Sequence, residues 1–326
     1  MKQKILISTG GTGGHVIPAI TIYDHLKNEH EVTICTDVRG LKYLDINKFK
    51  IFEIDTPKLN RSILLPFTIL KVFFLTIKSL LLLKKEKIQI LISTGGYMSL
   101  PLCLAGKILN IKIFLLEPNM IIGRANKFFL NFCEKIICYS NNINGLPNKL
   151  KKKIEISSPF IRRQYYEKKF KENNNEIFTI MIVGGSQGAQ IFDEIIHESI
   201  VKISKIKPLK IIHQTSQKKV NFFKKFYSEN NVENIVFNFD NNLDMLISQS
   251  DLCITRAGAS SLAEIALLNV PFIAIPLPTS KDNHQLENAN YYRDKDCCWI
   301  INQKSFDRQK FQSLLLDILK NKDDLT

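Results

Sequence analysis

The chain has 326 residues, 45% hydrophobic and 23% charged, an ordinary globular balance that excludes wholesale disorder and is long for a single hydrophobic core. A formal net charge of +14 attracts anionic lipid headgroups, phosphorylated substrates or nucleic acid alike, and a lysine- and asparagine-rich composition accounts for it equally well without a functional face. Seven cysteines at irregular spacing, with no Cys-x-x-Cys pair, point to buried reduced thiols in a cytosolic protein and not to a disulfide framework.

The first apolar stretch is too short for a signal peptide, so the chain is expected to open directly on a strand at 4–8. Further strands are predicted at 31–36, 51–54, 89–93, 111–116 and 135–139, with a weaker one at 154–157. Helices are predicted between them at 17–26, 66–84, 101–109 and 124–132. Short apolar runs alternating with longer helical patterns are the signature of parallel sheets with crossover helices.

One helix stands apart. Residues 63–83 are almost wholly apolar, interrupted by Pro66, Thr68, Lys71, Thr76, Lys78 and Ser79, and their length approaches that of a membrane span. Each lysine would cost about 3 kcal/mol at a bilayer centre. Lys71 and Lys78 are seven apart and share one helix face, so an amphipathic helix fits better than a span. It either covers the N-terminal sheet or dips an apolar edge into a membrane interface, and a face wider than one sheet needs favours the second. The trailing Lys84-Lys85-Glu86-Lys87 adds charge that anionic lipids favour.

The pattern then breaks and restarts. Residues 161–176 are charged, asparagine-rich and aperiodic, the composition of a linker. The expected organisation is therefore an N-terminal Rossmann-like domain at 1–160, the linker, and a second such domain at 177–326. Strands of the second half are predicted at 178–183, 210–214, 235–239, 252–255, 271–275 and 299–301. Ligands of such sheets lie beyond the carboxyl ends of the strands, which sets the two halves facing each other across a cleft.

Two glycine-rich loops occupy equivalent places, Ser8-Thr9-Gly10-Gly11-Thr12-Gly13-Gly14-His15 and Gly184-Gly185-Ser186-Gln187-Gly188-Ala189, each between a strand and a helix. Glycine lets backbone N–H groups turn toward a phosphate, and a helix N-terminus adds partial positive charge. Neither loop carries the Gly-x-Gly-x-x-Gly or P-loop pattern, which disfavours a nicotinamide dehydrogenase or an ATPase. His15 closes the first loop at the start of a helix, where the dipole keeps its ring neutral and able to take a proton from an attacking hydroxyl. The plainer alternative is a histidine that caps the turn. Gly95-Gly96-Tyr97 follows the fourth strand and, beside the first loop, would floor an acceptor pocket. In Thr255-Arg256-Ala257-Gly258-Ala259-Ser260-Ser261-Leu262-Ala263-Glu264, Ser261 and Glu264 have capping-box spacing. The functional reading gives Glu264 the ribose hydroxyls and the nearby N–H groups a pyrophosphate. Gln285, in Asp282-Asn283-His284-Gln285, has an amide that can read sugar hydroxyls as donor and acceptor.

Together, Gly-Gly-Thr-Gly-Gly-His, Gly-Gly-Tyr, Glu-Pro-Asn, Gly-Gly-Ser-Gln-Gly-Ala, Arg-Ala-Gly-Ala-Ser-Ser-Leu-Ala-Glu and Asp-Asn-His-Gln resemble the MurG family of peptidoglycan transferases, in order from Ile5 to about Asn290. The resemblance implies an α/β fold of GT-B type. It implies inverting transfer of N-acetylglucosamine from UDP-N-acetylglucosamine to the muramyl 4-hydroxyl of undecaprenyl-linked lipid I. It also implies peripheral attachment to the cytoplasmic face of the bacterial inner membrane, an anionic surface, with no nucleic-acid partner. By matching motif, Thr12, Gly13 and Gly14 would line the site with His15, Asn119 would touch the donor sugar and Ser186 the phosphates. Phe239 would offer its backbone to uracil, Ala259, Ser260, Ser261, Leu262, Ala263 and Glu264 would hold pyrophosphate and ribose, and Gln285 the N-acetylglucosamine hydroxyls. The family's His-Glu-Gln-Asn is here Leu116-Glu117-Pro118-Asn119, and its Gly-Asn-Pro-Val-Arg is Ser157-Ser158-Pro159-Phe160-Ile161-Arg162, so Arg162 or Arg163 is the expected phosphate contact. The only Asp-x-Asp, Asp294-Lys295-Asp296, lies outside the glycine loops, so no cofactor and no essential metal is expected. Rival readings are a transferase with a diacylglycerol acceptor, a nucleotide-sugar 2-epimerase, a non-catalytic lipid-surface protein, and an oxidoreductase supported only by Asp37 after the second strand.

Overall fold

A computed structural model of the chain describes residues 2–57, 65–167, 177–184, 190–240 and 242–321. The chain divides into two compact units, Met1–Arg162 and Arg163–Thr326. The expected phosphate contact Ser186, with its neighbours 185–189, and residues 168–176 of the expected linker lie outside the described residues.

The first unit runs β1 (Lys4–Ser8), α1 (Gly13–Leu26), β2 (Glu31–Thr36), α2 (Val38–Leu41), β3 (Ile51–Glu53), α3 (Leu65–Lys85), β4 (Ile90–Ser93), α4 (Ser99–Ile108), β5 (Lys112–Glu117), α5 (Arg124–Phe129), β6 (Lys135–Cys138) and β7 (Ile154–Ile156). Its sheet has the order β3-β2-β1-β4-β5-β6-β7, with every pairing parallel. The second unit runs α6 (Gln164–Glu167), β8 (Phe178–Val183), α7 (Gln190–Ile195), α8 (His197–Ser204), β9 (Leu209–Gln214), α9 (Val220–Glu229), β10 (Glu233–Phe237), α10 (Leu243–Ser248), β11 (Leu252–Thr255), α11 (Ala259–Leu267), β12 (Phe272–Ala274), α12 (His284–Arg293), β13 (Cys298–Ile300) and α13 (Arg308–Lys320). Its six parallel strands lie in the order β10-β9-β8-β11-β12-β13.

The central strands read as continuous apolar runs because helices cover both faces of a parallel sheet. Leu6, Ile7, Ile34, Leu91 and Ile113 are buried in the first unit. In the second, Ile180, Ile182, Ile211 and Ile254 pack with Phe192 of α7, Phe223 and Tyr227 of α9 and Phe311 of α13. In both sheets the strand order reverses beside the first strand of the unit. The chain leaves β1 and β4 in opposite directions in the sheet order, and does the same at β8 and β11. A crevice opens at the carboxyl ends of two such strands, and ligands of open α/β sheets bind there. The loops after β1, β4, β8 and β11 are the four that carry the glycine motifs.

Helix starts differ most from the sequence expectation. α1 begins at Gly13, not residue 17, so Gly13, Gly14 and His15 form its first turn. Two glycines disguise a helix start because they are poor helix formers, and here packing overrides propensity with Gly13 buried. α4 begins at Ser99, two residues before Pro101, whose missing N–H is harmless in a first turn. β10 ends at Phe237, which leaves Phe239 beyond the strand.

α3 is amphipathic in an unusual sense. Its inner side carries Thr76 and Ser79, whose hydroxyls bond back to the carbonyls of Val72 and Leu75, and the buried Leu83. Phe67 (71% exposed), Leu70, Phe73, Phe74, Ile77 and Leu81 (66% exposed) face outward with Lys71 and Lys78. Residues Pro66–Lys85 are long and apolar enough to cross a membrane by length and composition. The seven cysteines are all free, and burial pushes the thiols of Cys35 and Cys103 up to about 12.

Candidate active site

The loop leaving β1 is held from beneath by a buried carboxylate. Asp37 follows β2, and its Oδ1 accepts the N–H groups of Gly11 at 2.9 Å and Gly40 at 2.8 Å, while Oδ2 accepts from Arg39 Nε at 2.9 Å. Gly10 is glycine because a Cβ there would lie 2.8 Å from Asp37 Oδ1. Burial pushes the Asp37 carboxyl up, but the two backbone donors and Arg39 outweigh it and hold it below the usual carboxylate range. Oδ1 thus joins the β1 loop to the start of α2 while Oδ2 is taken by Arg39, so both oxygens of the feature behind the oxidoreductase reading have partners within the chain.

With the loop fixed, α1 opens in a tight turn, the N–H groups of His15 and Val16 both reaching the Thr12 carbonyl. His15 then projects across β1 to the end of β4, where its Nδ1 lies 2.7 Å from the carbonyl oxygen of Thr94. A carbonyl can only accept, so Nδ1 carries the ring proton and the basic lone pair sits on Nε2. Thr94 is itself anchored, its Oγ1 donating to Thr9 Oγ1 at 2.9 Å and its N–H to the Ser8 carbonyl at 3.0 Å. Gly95 and Gly96 follow at φ +89° and +82°, a region that disfavours side chains, and a Cβ on either would lie 3.4 to 3.8 Å from the His15 ring. The glycine pair thus wraps the imidazole, and Tyr97 is half-buried beside it.

A second buried carboxylate shapes the next loop. Glu117 at the end of β5 accepts from Asn119 N–H and Nδ2, from Gly123 N–H at 2.7 Å and from Asn126 Nδ2 at 3.0 Å. Burial pushes its carboxyl up against the pull of these four donors. Asn126 Nδ2 also donates to the Leu116 carbonyl and lies within 3.5 Å of where a Gly95 Cβ would sit, so it joins this loop to the His15 pocket. Leu116, where the family pattern has histidine, is fully buried. The structure therefore brings together Thr12, Gly13, Gly14, His15, Gly95 and Gly96, with Asn119 on the adjoining loop. Arg162 is half-buried at the end of this unit and Arg163 is exposed.

In the second unit Gly258, not Ser261, caps α11, so Ser261 stands third in the helix and the expected capping box is absent. The first N–H to find an intrahelical carbonyl is that of Leu262, leaving those of Ala259, Ser260 and Ser261 without one, as helix starts do. Ala263 is buried behind them, and so is Glu264, in the second turn. The preceding turn is braced by Arg256, whose Nη1 donates to the Ile275 carbonyl at 2.9 Å and Gln303 Oε1 at 2.8 Å, and by Asn288 Nδ2 on the Ala257 carbonyl. Gln285 Oε1 accepts the Leu277 N–H at 2.9 Å, so the amide also serves its own loop. Phe239 is 75% exposed, two residues past β10.

Sequence reasoning missed the anchors: Asp37, Glu117, Asn126 and the Thr94 carbonyl. Asp37 was visible as an acid after a strand, but backbone partners leave no mark in a sequence.

Two α/β units, each an open parallel sheet whose order reverses beside its first strand, are the units of a GT-B type fold. The glycosyltransferase family 28 N-terminal domain matches residues 5–138, and the family's C-terminal domain matches residues 179–326. The UDP-N-acetylglucosamine–N-acetylmuramyl-(pentapeptide) pyrophosphoryl-undecaprenol N-acetylglucosamine transferase of Pelagibacter ubique is 46% identical over 99% of this chain and 91% of its own length. The protein of the same description from Rickettsia felis is 33% identical over 98% of this chain and 91% of its own. The crystal structure of Acinetobacter baumannii MurG is similar at a TM-score of 0.79 and 26% identity, over 100% of this chain and 92% of that one. The chain belongs to glycosyltransferase family 28 and, within it, to the MurG family.

The Asp37 anchor predicts a pH-dependent defect. Its folded pKa is lowered, so its stabilisation is present above the unfolded carboxylate pKa and lost as pH falls through the folded value. Asp37→Asn is expected to lose about 1.5–3 kcal/mol near neutral pH. In urea titrations across pH, the gap to wild type should close on acidification; a gap that stays constant contradicts the assignment.

Proposed function

We propose that this glycosyltransferase moves N-acetylglucosamine from UDP-N-acetylglucosamine to the muramyl 4-hydroxyl of undecaprenyl-linked lipid I, giving lipid II for peptidoglycan synthesis. The observation that carries the mechanism is the His15 Nδ1 to Thr94 carbonyl contact of 2.7 Å, because it leaves Nε2 as the proton acceptor. The acceptor hydroxyl gives its proton to Nε2 as its oxygen bonds to the anomeric carbon. The bond from that carbon to the diphosphate oxygen breaks, and UDP departs with the electron pair. One displacement inverts the anomeric centre and leaves a β-1,4 linkage.

The second unit holds the donor. Diphosphate lies on Ser186 and on the N–H groups of Ala259, Ser260 and Ser261, which meet the charge that builds as UDP leaves, together with Arg162 or Arg163. Glu264 accepts from the ribose hydroxyls, the Phe239 backbone meets uracil, and Gln285 Nε2 and Asn119 contact the sugar. Preorganised donors of this kind supply the charge stabilisation that a divalent ion provides elsewhere, and the reaction takes none.

A lipid-linked acceptor requires an approach to a membrane, and the outward stripe of α3 supports a peripheral one at the inner leaflet. Seven large apolar side chains from Phe67 to Leu81, Ile69 among them, face away from the unit, with lysines on the same side. Exposed Ile108 ends α4, Phe128 lies on α5 and Phe132 just past it, with the Lys107 ammonium over the Phe132 ring. Apolar side chains flanked by lysine suit the boundary between anionic headgroups and acyl chains.

Labelled transfer to purified lipid I tests the chemistry. His15→Ala should lower kcat roughly 100- to 10,000-fold with little change in donor KM; full kcat in a folded variant removes the base. The same assay in excess EDTA should retain turnover, and collapse rescued only by divalent ions would show that a metal takes part. For the membrane face, Leu70→Glu with Phe74→Glu should abolish sedimentation with phosphatidylglycerol vesicles yet leave UDP binding intact. Undiminished sedimentation would rule out α3 as the contact.

A further inference from the structure

The carbonyl that fixes the His15 ring belongs to a peptide unit with a glycine on its far side. Two contacts hold Thr94 itself, its N–H on the Ser8 carbonyl at 3.0 Å and its hydroxyl on Thr9 Oγ1 at 2.9 Å. Both lie before its Cα–C bond, so rotation about that bond turns the Thr94–Gly95 peptide plane without disturbing either. Gly95 does not resist such a turn, because at φ +89° it is as free at negative φ as at positive. A trans peptide unit points its C=O and N–H in opposite directions. A turned plane would therefore carry the carbonyl away from His15 and bring the Gly95 N–H in its place. Nδ1 would then accept, and Nε2 would carry the ring proton in place of its basic lone pair.

One side chain opposes that turn. The Gly95 N–H donates to Ser93 Oγ at 3.2 Å. Ser93 ends β4, where it pairs with Ser8 of β1 on one side and Leu115 of β5 on the other, so its backbone is fixed in the middle of the sheet. Its hydroxyl donates in turn to the Cys103 sulfur of α4, which leaves an oxygen lone pair for Gly95. Ser93 and Cys103 are both fully buried. The N–H held at Ser93 and the carbonyl held at His15 are thus two ends of one rigid plane. Either orientation of the plane gives His15 one hydrogen bond, from ring to carbonyl or from amide to ring. The Ser93 contact is what separates them.

We infer that Ser93 is a positioning residue for the base: by holding the Gly95 N–H it sets the Thr94–Gly95 peptide plane, and with it the tautomer of His15. The inference rests on the reading of His15 as the proton acceptor. Ser93 has no need to touch either substrate, since its effect reaches the chemistry through a single peptide unit.

Nitrogen-15 shifts of the His15 ring in the full labelled chain read the ratio of Nδ1-protonated to Nε2-protonated forms. Ser93→Ala is expected to move that ratio roughly tenfold toward Nε2, the scale of a buried donor left without its partner. Its kcat should fall as the Nδ1-protonated form is lost, with donor KM unchanged. Ser93→Thr, which keeps the hydroxyl, should stay at the wild-type ratio. If Ser93→Ala does not fold, Ser93→Cys, whose sulfur accepts weakly, should shift the ratio in the same direction. A wild-type ring protonated on Nε2 removes the His15 reading and this one with it. A wild-type ring protonated on Nδ1, with a ratio that persists unchanged in the folded variants, overturns the role of Ser93 alone. A shift in Ser93→Thr equal to that in Ser93→Ala does the same.

Discussion

An imidazole can serve as a base only if its lone pair points where the proton will be, and in this chain one backbone carbonyl decides that. The Thr94 oxygen at 2.7 Å accepts the Nδ1 proton of His15 and so leaves the opposite nitrogen basic. Every feature around it keeps that contact in place. β1 and β4 are adjacent and parallel, so the loop that carries His15 and the loop that carries Thr94 emerge side by side. Asp37 pins the first loop, the Thr9 and Ser8 contacts pin the second, and Gly95 and Gly96 leave room for the ring.

The buried carboxylates follow one logic. Asp37 and Glu117 each stand at or just beyond a strand end, and each gathers N–H donors from the loop it serves. An isolated buried charge is costly, and several preorganised donors make it tolerable. The return is rigidity in glycine-rich backbone, which has the most conformational freedom to lose. Two anchors on the loops of the first sheet thus fix backbone N–H groups.

Much of this was legible in the sequence. Continuous apolar runs located the strands, and the restart of the pattern after residue 176 separated two sheets. Glycine loops after β1, β4 and β8 were visible as strand-to-helix turns, and the strand order places them at the reversal points. What stayed hidden was held by backbone. Gly13 and Gly14 read as loop because their propensity is poor, yet they form the first turn of α1. Ser261 and Glu264 have capping-box spacing, but Gly258 takes the cap, since helix register depends on where the turn after β11 closes. Gln214 closes β9 and Thr215 follows it, and their partners Gly184 and Asp193 lie 30 and 22 residues away. The 63–83 stretch was read as amphipathic from its two lysines; the structure shows the outward face carrying both lysines and large apolar side chains, with two hydroxyls turned inward.

The tautomer of His15 is the most direct measure of the whole arrangement. A nitrogen-15 spectrum of the labelled chain at neutral pH, with the signal assigned by its loss in His15→Gln, reads the protonation of each ring nitrogen separately. The proton is expected on Nδ1, with Nε2 giving the shift of an unprotonated nitrogen. A ring protonated on Nε2 alone would turn its lone pair onto the Thr94 carbonyl, and the assignment of His15 as base would be wrong.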